Sequence, residues 1–392
     1  MKGIRDRAAI IGMGCTKFGE LWDKSPEDLL VDACYDAFED AGVEPKDIEA
    51  AWLGSVSTLR QGVGLAYPLK LQFIPITRVE NACCTGTDAV RNACYAVAAG
   101  IYDIVLAAGV EKLKDSGYTG LPLRAEQVTS EVEPPVPAPV AFATAATRYF
   151  HHYGMTYAEG KRMLAGVAVK NHYNGTLNEK AHLRKETTIE KAMNAPVVAW
   201  PLGLFDCCGV SDGASAAIIT TPEIAKSMGK DHILVKGLGV TCGAFQGLQQ
   251  SSYDFVHFEE NVTASKAVYK EAGITNPREE IDLAEVHDCF SITEVIICED
   301  LDFCDRGRYR DAQEAGTFDL TGSLPVNTDG GLKCFGHPVG ASGIRMIYEV
   351  YLQLLGKAGA RQLKKADIGL THNLGGRPGT KFTCAIGIFG RP

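Results

Sequence analysis

The chain has 392 residues, 46% of them apolar and 22% charged, enough to bury a large core in two or three subdomains. Its 39 basic and 48 acidic residues give a net charge of -9, and no Lys/Arg run interleaves with aromatics, which argues against a nucleic-acid partner. No uncharged apolar run approaches the roughly 20 residues of a membrane span, and "MKGIRDRAAIIGMG" is too charged and too short in its apolar part for a secretory signal.

A cytoplasmic protein is therefore expected. Its thirteen cysteines include no C-x-x-C pair, so neither a zinc ribbon nor a redox dithiol is indicated. Most read as reduced core fillers, among them Cys34 and Cys94 in helical patterns and Cys384 in a strand.

The stretch "RAAIIGMG" reads as a first strand. Gly12-Met13-Gly14 invites a dinucleotide-loop reading, but Lys17 stands where the third glycine belongs and the helix starts about ten residues late, so a nicotinamide cofactor is rejected. Ser25-Pro26-Glu27-Asp28 then gives a helix start, with a capping serine, a first-turn proline and an acid facing the dipole. That helix stops at Gly42, and "DIEAAWLGSV" is the next strand. "VENACCTGTDAV", residues 79–90, sets Cys83 and Cys84 just ahead of a helix, and "YDIVLAAG" follows as a strand. From about 115 to 203 the pattern changes to an insertion, proline-rich and then helical. Its Tyr149, Phe150, His151, His152 and Tyr153 fit either an aromatic-tolerant cavity or a packed helix face. "FDCCGVSDGASAAIITT" returns to a strand, with Cys207 and Cys208 read as structural.

The second half repeats the first. "DACYDAFEDAGV" (32–43) lines up with "TASKAVYKEAGI" (263–274), placing Gly42 over Gly273. "TGTDAVRNACYAV" from Thr85 matches "VGASGIRMIYEVY" from Val339, placing Gly86 over Gly340 and Arg91 over Arg345. Two βαβ-rich halves related by duplication are expected, residues 1–230 and 231–392. The second offset sets Cys83 on His337, so a thiol and an imidazole occupy equivalent places, each ahead of a buried helix. A shared pocket at two helix N-termini favours negative charge there, and the expectation is a thiolate held beside a histidine.

Three later stretches carry further candidates: "EVHDCFSITE" with His287 and Cys289, "KCFGHPVGASG" with His337, and "LTHNLGGRPG" with His372 and Asn373. Four strand-end loops from two related halves then converge on one site.

In order and over nearly the whole chain, these loops resemble the thiolase superfamily, closest to its sterol-carrier-protein-2 and archaeal type. "NACCTG" is similar to the nucleophile motif, "HDCF" to the variant of the Asn-Glu-Ala-Phe loop, "GHPVGASG" to the histidine loop, and "HNLGG" to this sub-group's replacement for Cys-x-Gly. The resemblance implies an α/β thiolase fold, with two βαβαβαββ halves in a five-layered αβαβα core and an inserted loop domain. It also implies Cys83 as nucleophile, since Val79 and Gly86 fix the motif's register and leave Cys84 in the variable place. His337 would take the Cys83 proton, Cys289 would be the second acid/base, and His287 with His337 would stabilise the enolate-like oxygen. Backbone N–H groups at Cys83 and near Gly375 would hold the tetrahedral oxygen, with His372 and Asn373 shaping the pocket.

The implied activity is cleavage of a 3-oxoacyl-CoA by coenzyme A, on a bulky or aromatic acyl group such as benzoylsuccinyl. The alternatives are an acetoacetyl-CoA thiolase working in condensation, a decarboxylating ketoacyl synthase, and a non-catalytic thiolase-like scaffold. Arg377 and Lys381 would either meet a substrate carboxylate or be solvated. No cofactor and no metal of the chain's own are expected, because coenzyme A is a substrate. A homodimer is expected, with a small OB-fold, zinc-ribbon partner subunit.

Overall fold

A computed structural model of the protein describes residues 3–116, 136–250 and 252–392. The proline-rich start of the insertion, up to Pro135, lies outside the described residues. Numbering only the core elements, the strands are β1 Ala9–Cys15, β2 Ala50–Gly54, β3 Ile76–Val79, β4 Ile104–Glu111, β5 Gly213–Thr220, β6 Ile233–Cys242, β7 Leu283–Glu285, β8 Ile368–Gly376 and β9 Phe382–Gly390. The helices are α1 Pro26–Ala41, α2 Thr85–Ala98, α3 Ala138–His152, α4 Tyr157–Thr176, α5 Glu259–Ala272, α6 Ser291–Asp300 and α7 Val339–Leu354.

Strand β1 is buried at every position because helices cover both faces of the sheet. Its neighbours sort by the two-residue period. Ile10, Val105, Ala107 and Ile219 pack inward with α2 and α7, while Ile11, Leu106, Ala108 and Ile218 pack outward with Leu29, Leu30 and Phe38 of α1. The glycines of "GMG" serve that outer contact. A Cβ at Gly14 would stand 2.0 Å from the Ala33 carbonyl oxygen and one at Gly12 2.4 Å from the Ala41 nitrogen, so only glycine lets α1 lie this close. Helix α1 starts as expected, with the Ser25 and Asp28 side chains each accepting the other's backbone N–H.

The strand order is β3-β2-β4-β5-β1-β6-β9-β8-β7. The run β2-β4-β5-β1 comes from the first half and β7-β8-β9-β6 from the second, and the two runs have the same order and directions. They join where β1 pairs antiparallel with β6 through Ala9–Leu234 and Ile10–Ile233. The partner of β3 in the second half is reduced to one bridge, Ala284 to Val326. Helices α1 and α5 end in matching left-handed glycines, Gly42 at φ 69° and Gly273 at φ 74°. Helices α2 and α7 begin at Thr85 and Val339, the positions the repeat aligned.

These two helices form the middle layer, between the sheet of one half and that of the other, with α1 and α5 outside: the expected five layers. They cross at small residues, since a Cβ on Gly343 would fall 2.4 Å from the Thr87 nitrogen and one on Gly86 2.9 Å from the Gly340 oxygen. That crossing brings the two helix starts together. From the insertion, α3 and α4 pack against α6 and roof the resulting hollow. Among the described residues no helix is long and apolar enough to cross a membrane.

Candidate active site

Between β3 and α2 the chain turns sharply. Ala82 takes a left-handed φ of 48°, a conformation non-glycine residues seldom adopt, and Cys83 follows it directly. The turn is tied down on its far side: the Asn81 N–H donates to Thr85 Oγ1 at 2.9 Å, and the Asn81 amide donates to Asp88 at 2.6 Å. Cys83 thereby reaches a cavity of about 270 Å³ that His287, Cys289 and His337 also line.

Cys84 does not reach it. Its thiol donates toward the carbonyl oxygens of Asn373 and Thr383 at 3.3 and 3.2 Å, wholly buried between α2 and the strands of the second half. The adjacent cysteines therefore divide into one cavity thiol and one core thiol.

His337 sits ahead of α7, after Gly336, whose φ of 121° and contact with Ser211 exclude a side chain. Its Nδ1 lies 2.7 Å from Ser342 Oγ, and that hydroxyl donates to the Pro338 carbonyl at 3.0 Å. With its proton so used, Ser342 can only accept from the ring, which puts the imidazole proton on Nδ1 and leaves an Nε2 lone pair. His287 has the opposite tautomer. Thr87 donates to Asn373 Oδ1 at 2.6 Å, which turns the Asn373 amide nitrogen toward His287 Nδ1 at 3.4 Å and leaves the proton on Nε2. Both Nε2 atoms are buried without a protein partner among the described residues, and the rings meet edge to face at 5.1 Å. One is a base, the other a donor.

Burial pushes the Cys83 thiol up to about 12, with Glu111 and Glu80 adding to it. Burial, then Arg345, pulls His337 down to about 3. Both shifts favour the uncharged forms, thiol and neutral imidazole. That direction runs against the expected resting thiolate, because removing the sulfur from water disfavours its charge. Cys289 is likewise held well above the usual thiol range by burial, and by its neighbours Cys208 and Cys83.

The other expected pocket residues lie behind the wall. His372 pairs through Nε2 with Asn261 at 2.9 Å, and Asn373 is held between Thr87 and His287; neither lines the cavity. Gly375 abuts the nucleophile turn instead, where a Cβ would stand 2.8 Å from the Ala82 Cβ and 3.0 Å from the Cys83 nitrogen. Tyr149 and Phe150 belong to the core, with Tyr149 donating to Glu299 at 2.5 Å, and neither Arg377 nor Lys381 lines the cavity.

Several lining residues escaped the sequence reading. Cys207 and Cys208, taken as structural, line the wall because Cys207 bridges to Phe290 and the Cys208 N–H donates to Cys289 at 2.9 Å. Phe142 stacks on Phe290 at 4.7 Å, and Leu113, Val339 and Leu374 complete an apolar lining. Through Leu204, Cys207, Cys208 and Gly209 this cavity adjoins a second of about 510 Å³, bordered by His172, His182, Arg184, Lys185, Lys191 and Lys333. The only signal for that groove was the basic spacing in "HLRKETTIEK".

Known proteins resemble this chain over nearly its whole length. The thiolase N-terminal domain family matches residues 8–223, and the thiolase C-terminal domain-like family matches residues 246–388. The acetyl-CoA acetyltransferase of Methanothermobacter thermautotrophicus is 40% identical, over 99% of this chain and 100% of its own. Sterol carrier protein 2 of Bos taurus is 30% identical over 95% of this chain and 70% of its own. Among solved structures, an Ltp2–ChsH2(DUF35) aldolase superposes with a TM-score of 0.85 at 25% identity, over 99% of this chain and 98% of that one.

Proposed function

The chain belongs to the thiolase superfamily, in its sterol-carrier-protein-2 and archaeal branch, and from that premise we propose that it cleaves a 3-oxoacyl-CoA with coenzyme A through an acyl-cysteine at Cys83. One observation carries the reading: Cys83, His337, His287 and Cys289 open into a single apolar cavity. As Cys83 Sγ attacks the 3-keto carbon, His337 Nε2, whose lone pair the Ser342 contact leaves free, takes its proton. The Nε2–H of His287 donates to the oxygen that gains charge. The bond between C2 and C3 breaks, and the Cys289 thiol protonates C2 of the departing acyl-CoA. The Cys289 thiolate then takes the proton of incoming coenzyme A, whose sulfur removes the acyl group, and Cys83 recovers its proton from His337. Each group ends as it began, with no cofactor in the scheme.

The basic groove beside the cavity suits the phosphates of coenzyme A, with Arg184, Lys185 and Lys191 on its rim and the pantetheine arm passing Gly209. The Phe142–Phe290 pair favours a bulky or aromatic acyl group. No described cation lines the acyl cavity, so nothing there favours the carboxylate of a benzoylsuccinyl group in particular. The archaeal relatives, acetyl-CoA acetyltransferases by name, favour a second reading, condensation of two acetyl-CoA to acetoacetyl-CoA and coenzyme A. The Ltp2–ChsH2(DUF35) aldolase pairs a chain of this fold with a DUF35 protein, which supports a small partner subunit here; its OB-fold, zinc-ribbon form and the homodimer of this chain rest on the family resemblance.

Thiolysis of acetoacetyl-CoA and of 3-oxo-3-phenylpropionyl-CoA, set against malonyl-CoA decarboxylation, tests the proposal. Thiolysis of both is expected, with the aryl substrate preferred and the preference lost in Phe142→Ala. Decarboxylation without thiolysis would overturn it. An unchanged aryl preference in Phe142→Ala would remove the substrate assignment alone.

A further inference from the structure

Cys83, His287 and His337 place one sulfur and two ring nitrogens all within 4.8 Å of one another. The ring nitrogens left over for a ligand are the two Nε2 atoms, each buried without a partner among the described residues, since Ser342 and Asn373 engage the Nδ1 atoms. We propose that this cluster captures a single zinc ion and is thereby reversibly shut, a proposal that rests on Cys83 being open to the cavity. One thiolate and two imidazoles are the ligands of a borderline-soft ion, and the absence of a carboxylate from the cluster excludes calcium and magnesium.

A tetrahedral zinc with Zn–S about 2.3 Å and Zn–N about 2.0–2.1 Å spaces its ligand atoms roughly 3.3–3.6 Å apart. Side-chain rotations of roughly an ångström therefore complete three sides of the ion, and the fourth opens into the cavity, where water or a thiol can bind. On capture the Cys83 S–H bond breaks, its proton leaves to solvent, and an S–Zn bond forms with no change of oxidation state. The His287 proton moves from Nε2 to Nδ1. The Asn373 amide turns over so that its oxygen accepts that proton, and the Thr87 hydroxyl changes from donor to acceptor. Asn373 then holds the liganding histidine in place, and Ser342 already holds the other. Nucleophile and base are capped together, so acylation stops.

The test uses the full-length, acyl-free protein titrated with zinc chloride against a chromophoric chelator, with iodoacetamide footprinting read by peptide mass spectrometry. One zinc per chain is expected, slowing alkylation of Cys83 roughly tenfold or more while leaving the exposed Cys242 unchanged, with full reversal by excess chelator. Cobalt in place of zinc should give a thiolate-to-cobalt charge-transfer band that disappears after Cys83 is alkylated. His287→Ala should weaken zinc roughly tenfold or more, and Cys242→Ser should not. Zinc that binds equally well after alkylation of Cys83, or that leaves Cys83 unprotected, overturns the proposal. Acylation of Cys83 by substrate without zinc protection defeats the zinc site alone. Zinc protection with no acylation defeats the thiolase reading alone.

Discussion

Ser342→Ala removes the hydroxyl that fixes the His337 proton. Ser342 is fully buried and its oxygen is 2.7 Å from His337 Nδ1, so no water replaces it without rearrangement. The Nδ1–H tautomer then leaves a buried donor unsatisfied, at a cost of about 1–3 kcal/mol, and this tautomer alone offers Nε2 as a base. Transition-state stabilisation lost on that scale lowers kcat/KM about 5- to 150-fold. The loss should fall on kcat for acylation with KM nearly constant, because Ser342 touches no part of the cavity. Rapid-quench mass spectrometry of acyl-enzyme formation, with thermal unfolding as a control for folding, measures it. Deacylation, which depends on Cys289, should slow less. Acylation of a folded Ser342→Ala protein at the wild-type rate would refute the tautomer assignment.

Cys83→Ala should abolish thiolysis, while Cys84→Ala should retain most of it and lose about 1–2 kcal/mol of stability in denaturant unfolding, since it empties only a small buried volume. Because burial raises the Cys83 thiol to about 12, its alkylation by iodoacetamide should rise about tenfold per pH unit from about pH 6 to about pH 9. A plateau in that range would mean a thiolate–imidazolium pair. Gly375→Ala should lower acylation by roughly a hundredfold, because its Cβ must displace Ala82 or the Cys83 backbone, and shifts near one ångström have that effect; normal acylation would exclude Gly375 from positioning the turn.

The duplication was legible in the sequence because its signals are local. Helix stops at Gly42 and Gly273, and the small residues where α2 crosses α7, are demanded by backbone geometry and repeat at fixed offsets. From those offsets the meeting of Cys83 with His337 followed. What stayed hidden depends on distant partners. Cys207 and Cys208 reach the cavity only because a single bridge joins them to a loop some eighty residues later. The two histidines differ in tautomer because of Ser342 and Asn373, one a turn further along α7 and the other on β8. His372 and Asn373, which the family resemblance set in the pocket, lie behind its wall because distant partners hold them, Asn261 the one and Thr87 and His287 the other. The upward push that burial gives the thiol stayed hidden for a related reason: helix ends are visible in a sequence, but the depth at which they are buried is not.

Mapping the acyl group after a short incubation with 3-oxoacyl-CoA, without added coenzyme A, tests the central claim most directly. Cys83 and Cys84 fall in one tryptic peptide, Val79 to Arg91, so fragmentation between them is required. The acyl mass should sit on Cys83 alone. Its appearance on Cys84, Cys208 or Cys289, or an enzyme that turns over without it, would contradict the account.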